Sequence, residues 1–490
     1  MDKDDYKYHK VQRWKRKMTR VSRHLPTLIA LLVITAALGV GVCFLYRFVL
    51  QKAPWGRDNQ WIQAAASASS AEESAQSSQE PSDEPQTDET VQLLEEAGRL
   101  ASGYDYDKAI QLLSNAPNSG DPRIAQAVTD YEAAKTALVP ANTATIPHVF
   151  FHSLIMDTAK AFDGDADSSG YNSVMTTKDE FLNILESMYD RGYVLVRIHD
   201  IAYESTDEEG NTTFVKGNIM LPEGKKPFVM SQDDVCYYPY MDGDGFAKRI
   251  VVGQDGKPTS EMVMEDGTIS TGSYDLIPLL EDFIQEHPDF SYRGARAIIA
   301  FTGYEGILGY RTSGSYEKTN PNYQQDREQA ARVAQCLRDN GWELASHSWG
   351  HLRLGVDEDP SKGFAIKEER FQADTDKWEA EVESLIGPTD IILYPFGNDI
   401  ADWRPYKEDN PRFQYLESKG FRYFCNVDAS TPYWIQMGTN YFRMARINLD
   451  GYRLYQDLIQ TDPSKKRLSP FLNAEEIFDS SRPTPVGWEY

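Results

Sequence analysis

Hydrophobic and polar positions change rhythm four times along the chain. Residues 27–46 (TLIALLVITAALGVGVCFLY) run apolar without a charge, and about 20 such residues match the hydrocarbon thickness of a bilayer. Residues 63–90 are the reverse, rich in Ser, Ala and Gln, with seven acids, no base and no large apolar side chain. Such a stretch cannot bury enough surface to fold. Over residues 91–140 apolar positions return at three- and four-residue spacing, in VQLLEEAGRLA, YDKAIQLLSN and IAQAVTDYEAAKTAL. That spacing predicts a helical hairpin resembling one tetratricopeptide unit, acting as spacer or docking element; nothing recurs, so no repeat array is implied.

Beyond Pro147 short β-prone runs alternate with amphipathic helices. Strands are predicted at residues 148–152, 193–197, 227–231, 296–301, 342–346, 391–394, 421–426 and 442–447, and helices at 178–190, 274–286, 324–340 and 366–386. Alternation over about 300 residues argues for a parallel sheet closed, or nearly closed, into a barrel. Residues 248–268 break it, and their GQDGK turn predicts an inserted hairpin.

Charge sharpens this division. The formal net charge is −25, yet the first 24 residues carry nine Lys/Arg and three Asp, which leaves −31 for the rest. The basic end precedes the apolar run, so it belongs in the cytoplasm and the bulk of the protein outside the membrane. A cleaved signal peptide competes, with Ala64-Ala65-Ala66 downstream, but the apolar run exceeds a usual signal core. The organisation expected is a basic cytoplasmic tail (1–24), a transmembrane anchor (25–50), an acidic linker (51–90), a helical hairpin (91–140), a barrel (146–460) and a C-terminal tail (461–490). As a flexible coil, the linker's stretch from 63 to 90 would span about 30 Å. The acidic bulk excludes nucleic acid as a partner, and four cysteines exclude a disulfide-dense scaffold or structural zinc module. No feature indicates an obligate protein partner.

In parallel barrels catalytic side chains project from the C-terminal strand ends. That rule selects His152, Asp233 with Asp234, His347 with His351, and the Pro395-Phe396-Gly397 turn. A separation of four puts His347 and His351 on one face of a helical turn, close enough to share a metal. One carboxylate completes a two-histidine, one-carboxylate set with an open position, as a catalytic metal requires. The second carboxylate is then free to accept a proton.

These segments also carry a family likeness. KKPFVMSQDDV resembles the first motif of the polysaccharide deacetylases (the NodB homology, or carbohydrate esterase 4, family), LRDNGWELASHSWGH its histidine motif and ILYPFGN its third motif, while IPHVFFHSLIMD resembles its opening strand. The resemblance covers about residues 146–450. It implies a distorted (β/α)7 barrel, a divalent metal (zinc first, with cobalt, manganese, nickel or iron as alternatives) on Asp234, His347 and His351, and Asp233 as general base. Tyr394, Pro395, Phe396 and Gly397 would line the groove for a polysaccharide substrate, and the activity implied is removal of N-acetyl or O-acetyl groups. Four positions depart from the pattern: Val235 stands where glycine is usual, Ser231-Gln232 replace Thr-Phe, Ile391 replaces an arginine that contacts the base, and no histidine follows His351. His152, at a strand end on the same rim, is the candidate for the missing proton donor or for orienting the base, with a structural rim histidine as the alternative. Two other readings stay open: a catalytically impaired carbohydrate-binding relative, and a non-haem iron oxygenase, which uses the same donor set on an antiparallel jelly roll.

Overall fold

The computed structural model describes residues 89–355, 366–431 and 433–487. The expected cytoplasmic tail and membrane anchor, and nearly all of the expected linker, lie outside the described residues. No helix among those described is long and apolar enough to cross a membrane.

Eight parallel strands organise the chain: β1 (His148–Phe151), β2 (Tyr193–Leu195), β3 (Lys226–Gln232), β4 (Ile298–Phe301), β5 (Glu343–Ser346), β6 (Ile391–Leu393), β7 (Tyr423–Val427) and β8 (Phe442–Asn448). Seven of them close a ring in the order β1-β3-β4-β5-β6-β7-β8, with β8 pairing back to β1. The eighth is displaced. In chain order β2 belongs between β1 and β3, but β1 pairs directly with the second half of β3. Strand β2 takes the first half of β3's other edge, beside Lys226–Phe228, and β4 takes Ser231 and Gln232 further along. The barrel is therefore closed by seven strands at its C-terminal end.

Side chains alternate across these strands. One face carries Val149, Phe151, Met230, Phe301, Leu344 and Phe424 against helix residues such as Ile184, Leu280, Leu337 and Leu416. The other fills the barrel with Val229, Ala300, Ala345, Leu393, Cys425 and Met444. The same parity carried upward puts His152, Asp233, His347 and Arg446 on the inner face at the rim.

Three expectations change. The spacer is three helices, Glu89–Ser102, Tyr106–Ser114 and Pro122–Thr136, because Asp121 accepts from Arg123 N and Pro122 starts a new helix. They pack on the barrel's N-terminal end, where Tyr104 Oη donates to Asp289 O at 2.8 Å and Arg293 N to Gly103 O at 2.7 Å. The inserted hairpin is a three-stranded antiparallel meander, Arg249–Val252, Pro258–Val263 and Ile269–Gly272, since a second turn follows at Asp266-Gly267. Finally, residues 461–487 are part of the packed fold rather than a tail: Arg482 is paired with Glu180 at 2.6 Å with both side chains fully buried.

Candidate metal centre

The ends of β3 and β5 build the centre. Asp233 N donates to Phe151 O at 2.8 Å and His347 N to Phe301 O at 3.0 Å, so each side chain leaves its strand still tied to a neighbour. After His347 the chain does not enter a helical turn, contrary to expectation. Ser348 and His351 take φ of 61° and 52°. Buried Asp374 holds this loop, accepting from Ser348 Oγ at 2.7 Å, Trp349 N at 2.9 Å and Gly350 N at 2.7 Å. The two imidazole rings converge to 5.1 Å between centroids by this route.

The donor atoms of Asp234, His347 and His351 all lie within 4.8 Å of one another. His347 Nδ1 donates to Leu393 O at 2.7 Å, which leaves Nε2 as the free lone pair. Burial pushes the His347 imidazole down to about 4, against the opposing pull of Asp233 and Asp234. It is thus neutral at ordinary pH, the form that binds a metal. His351 Nε2 stands 3.6 Å from Asp234 Oδ2. Burial alone would raise the Asp234 carboxyl, but His351 and His347 bring it below the usual range. Tyr238 Oη donates to Asp234 Oδ1 at 2.9 Å and so orients it. Two imidazoles and an ionised carboxylate with donor atoms this close fit a divalent cation with an open position.

Asp233 occupies a different setting one residue away. Arg446 Nη1 donates to both of its oxygens, at 2.6 and 2.9 Å. Burial would raise this carboxyl too, yet the guanidinium, helped by His347, holds it near 2. Its Oδ2 is 3.7 Å from His347 Nε2, beside the donor set but committed to the arginine. Arg446 answers one of the departures from the family pattern. Ile391 is buried in the barrel's apolar layer, and the arginine that meets Asp233 is Arg446, from β8. Arg446, Tyr238 and Asp374 escaped the reading of the sequence. Only Arg446 carried a signal, as a charged residue at the inner-face parity of Phe442 and Met444.

A pocket of about 220 Å³ opens above these groups, lined in part by His152, Asp234, Tyr238, Tyr304, His351 and Phe396. His152 Nδ1 is 3.1 Å from Val174 O. The Tyr394–Gly397 turn is divided. Tyr394 is fully buried with its hydroxyl 3.0 Å from that of Tyr406, Pro395 is buried and Gly397 packs on Val427, so none of these three side faces lines the pocket. Phe396 does: 40% exposed, its ring lies 4.4 Å from that of His351, with Arg353 over it at 4.3 Å. The parallel barrel removes the jelly-roll scaffold on which the oxygenase reading depended.

No protein-family model matches the chain, and no curated protein matches it. Among solved structures it is similar to the deacetylase PplD of Streptococcus pyogenes in complex with acetate, at 13% identity and a TM-score of 0.30 over 65% of this chain and 98% of that one. It is also similar to the BpsB deacetylase domain from Bordetella bronchiseptica, at 12% identity and a TM-score of 0.31 over 64% and 99% of the two chains.

Proposed function

We propose that the protein is a metal-dependent deacetylase of acetylated polysaccharide, held outside the cell by its N-terminal apolar segment. The observation that carries this reading is the pairing of two adjacent carboxylates with unlike partners. Asp234 faces His347 and His351, whereas Asp233 is gripped by Arg446. A divalent cation on Asp234, His347 and His351, zinc before cobalt, manganese, nickel or iron, would acidify water and polarise an acetyl carbonyl.

The chain's own residues divide the remaining work. Asp233 is ionised and accepts a proton on its carboxylate, and Arg446 fixes the direction from which it does so. His152 has Nδ1 engaged by a backbone carbonyl, so Nε2 is the nitrogen able to hold a proton and release it to the departing amine. Tyr238 and Asp374 keep the ligand side chains aimed, and Phe396 presents an apolar ring to a sugar. Membrane tethering would confine this activity to polymers within reach of the cell surface. The charge of −31 outside the basic tail disfavours strongly anionic polymers, within the roughly 8 Å over which salt leaves charges unscreened.

Acetate release from N-acetylglucosamine oligomers and from peptidoglycan tests the reading. Release should stop on chelation and return with zinc. Binding of these saccharides without acetate release under any of the named metals would favour a carbohydrate-binding relative that has lost turnover, as the missing late histidine allows.

A further inference from the structure

We infer that the pocket has a single mouth and takes one acetylated sugar at the end of a chain, not a unit in its middle; this rests on the deacetylase reading. A polymer bound through an internal unit must leave the site on both sides, which requires an open groove. Here the lining comes from five consecutive members of the strand ring. Met175 follows β1, Tyr238 and Tyr240 follow β3, Tyr304 follows β4, His351 follows β5 and Phe396 follows β6. Among the described residues no lining side chain follows β7 or β8.

The β3–β4 side is a continuous aromatic wall. Tyr238 stacks on Tyr240 at 5.4 Å and 8°, and on Tyr304 at 5.4 Å and 24°. Tyr238 is buried by this stacking, whereas Tyr240 is 38% exposed, and an exposed aromatic ring meets the apolar face of a sugar. The volume, about 220 Å³, is below the range of roughly 300 to 1,000 Å³ usual for pockets that enclose larger ligands.

The wall after β1 is what shuts the far end, and it is built into the core. Residues 153–177 leave β1 and are tied at one end to the loop after β3 and at the other to the loop after β8. Met156 N and Asp157 N donate to Gly245 O at 2.8 and 3.1 Å, Gly451 N donates to Met175 O at 3.2 Å, and Thr176 Oγ1 to Leu449 O at 2.5 Å. Arg482 then clamps the segment from outside, donating to Asn172 O at 3.0 Å and Met175 O at 2.7 Å while paired with Glu180. Two glycines permit the approach. A Cβ on Gly245 would stand 2.4 Å from Asp157 O, and one on Gly451 would stand 2.1 Å from Asn172 O. A segment pinned at both ends and clamped by a buried ion pair is a fixed wall.

The test is positional. The full-length protein with zinc is given N-acetylglucosamine pentamer labelled at its reducing end, with O-acetylated xylooligosaccharides alongside, and mass spectrometry locates each lost acetyl group. One terminal unit should lose acetate at least about tenfold faster than any internal unit, and Tyr240→Ala, which thins the aromatic wall, should narrow that ratio. Equal loss from internal and terminal units of the wild-type reaction overturns the single-mouthed pocket and leaves the deacetylase reading intact. Acetate from none of the saccharides removes the deacetylase reading, and the inference with it.

Discussion

The two ends of the barrel each set histidine among carboxylates, and they do opposite things with it. At the N-terminal end His199 has both ring nitrogens taken by acids: Nδ1 meets Glu343 and Nε2 is 3.1 Å from both oxygens of Asp390. Burial would depress that imidazole, yet the bonds to Asp390 and Glu343 raise it to about 10. At the C-terminal end His347 gives one nitrogen to a backbone carbonyl and keeps the other bare, and burial drives it to about 4. The first is a closed ion pair with no position to offer. The second is a neutral imidazole with its lone pair aimed at a carboxylate and another imidazole. Residue type does not distinguish a structural clamp from a metal centre; what occupies the second ring nitrogen does.

Breaking the C-terminal end should have the largest effects. Asp234→Asn should lose both metal and turnover. Asp233→Asn should keep its metal and lose about 10²- to 10⁴-fold in kcat, the range of a general base. Elemental analysis beside initial rates separates the two; equal metal loss in both variants would contradict the division between ligand and base. Arg446→Met comes next, since it strands a buried carboxylate. Removing one partner of a buried pair costs about 3–5 kcal/mol, so denaturant unfolding should reveal a loss of that order.

Smaller effects sharpen the contrast. His152→Ala should lower kcat by about tenfold with metal content unchanged, a modest part of a general acid's contribution. Unchanged turnover would leave His152 as a rim histidine held by Val174. At the opposite end, His199→Gln should spare turnover and alter only how stability depends on pH. A histidine whose folded pKa is raised to about 10 from 6.5 stabilises fully below pH 6.5, and that stabilisation fades as pH climbs through 10. The melting temperature of wild type should therefore exceed that of the variant most at pH 6 and least near pH 10. The gap will be modest, because the His199 side chain is 39% exposed. A gap that widens toward pH 10 would reverse the assignment.

Much of this was legible along the chain because strands and helices impose different periods. All eight strands fall within two or three residues of the β-prone runs, since each such run is bounded by turn residues. Their pairing order was not legible. The displacement of β2 depends on β3 being long enough to share one edge between β2 and β4, which no local pattern encodes. Asp233, Asp234, His347, His351 and His152 stood out because polar residues directly after apolar strands mark a rim. The convergence of His347 and His351 was anticipated for the wrong reason: spacing suggested a helical turn, but Asp374, 23 residues beyond His351, sets the loop. Tyr394 illustrates the limit of motif reading, since its aromatic ring serves the core and Phe396 alone of that turn's side chains lines the pocket. The integration of residues 461–487 was invisible because Arg482 and Glu180 are about 300 residues apart.

The central claim is that His347, and not His199, sits in a metal centre. Elemental analysis of dialysed wild type, His347→Ala and His199→Gln tests it directly. One equivalent of divalent metal in wild type and in His199→Gln, with almost none in His347→Ala, is the result this geometry requires. Metal retained in His347→Ala, or lost equally from both variants, would contradict it.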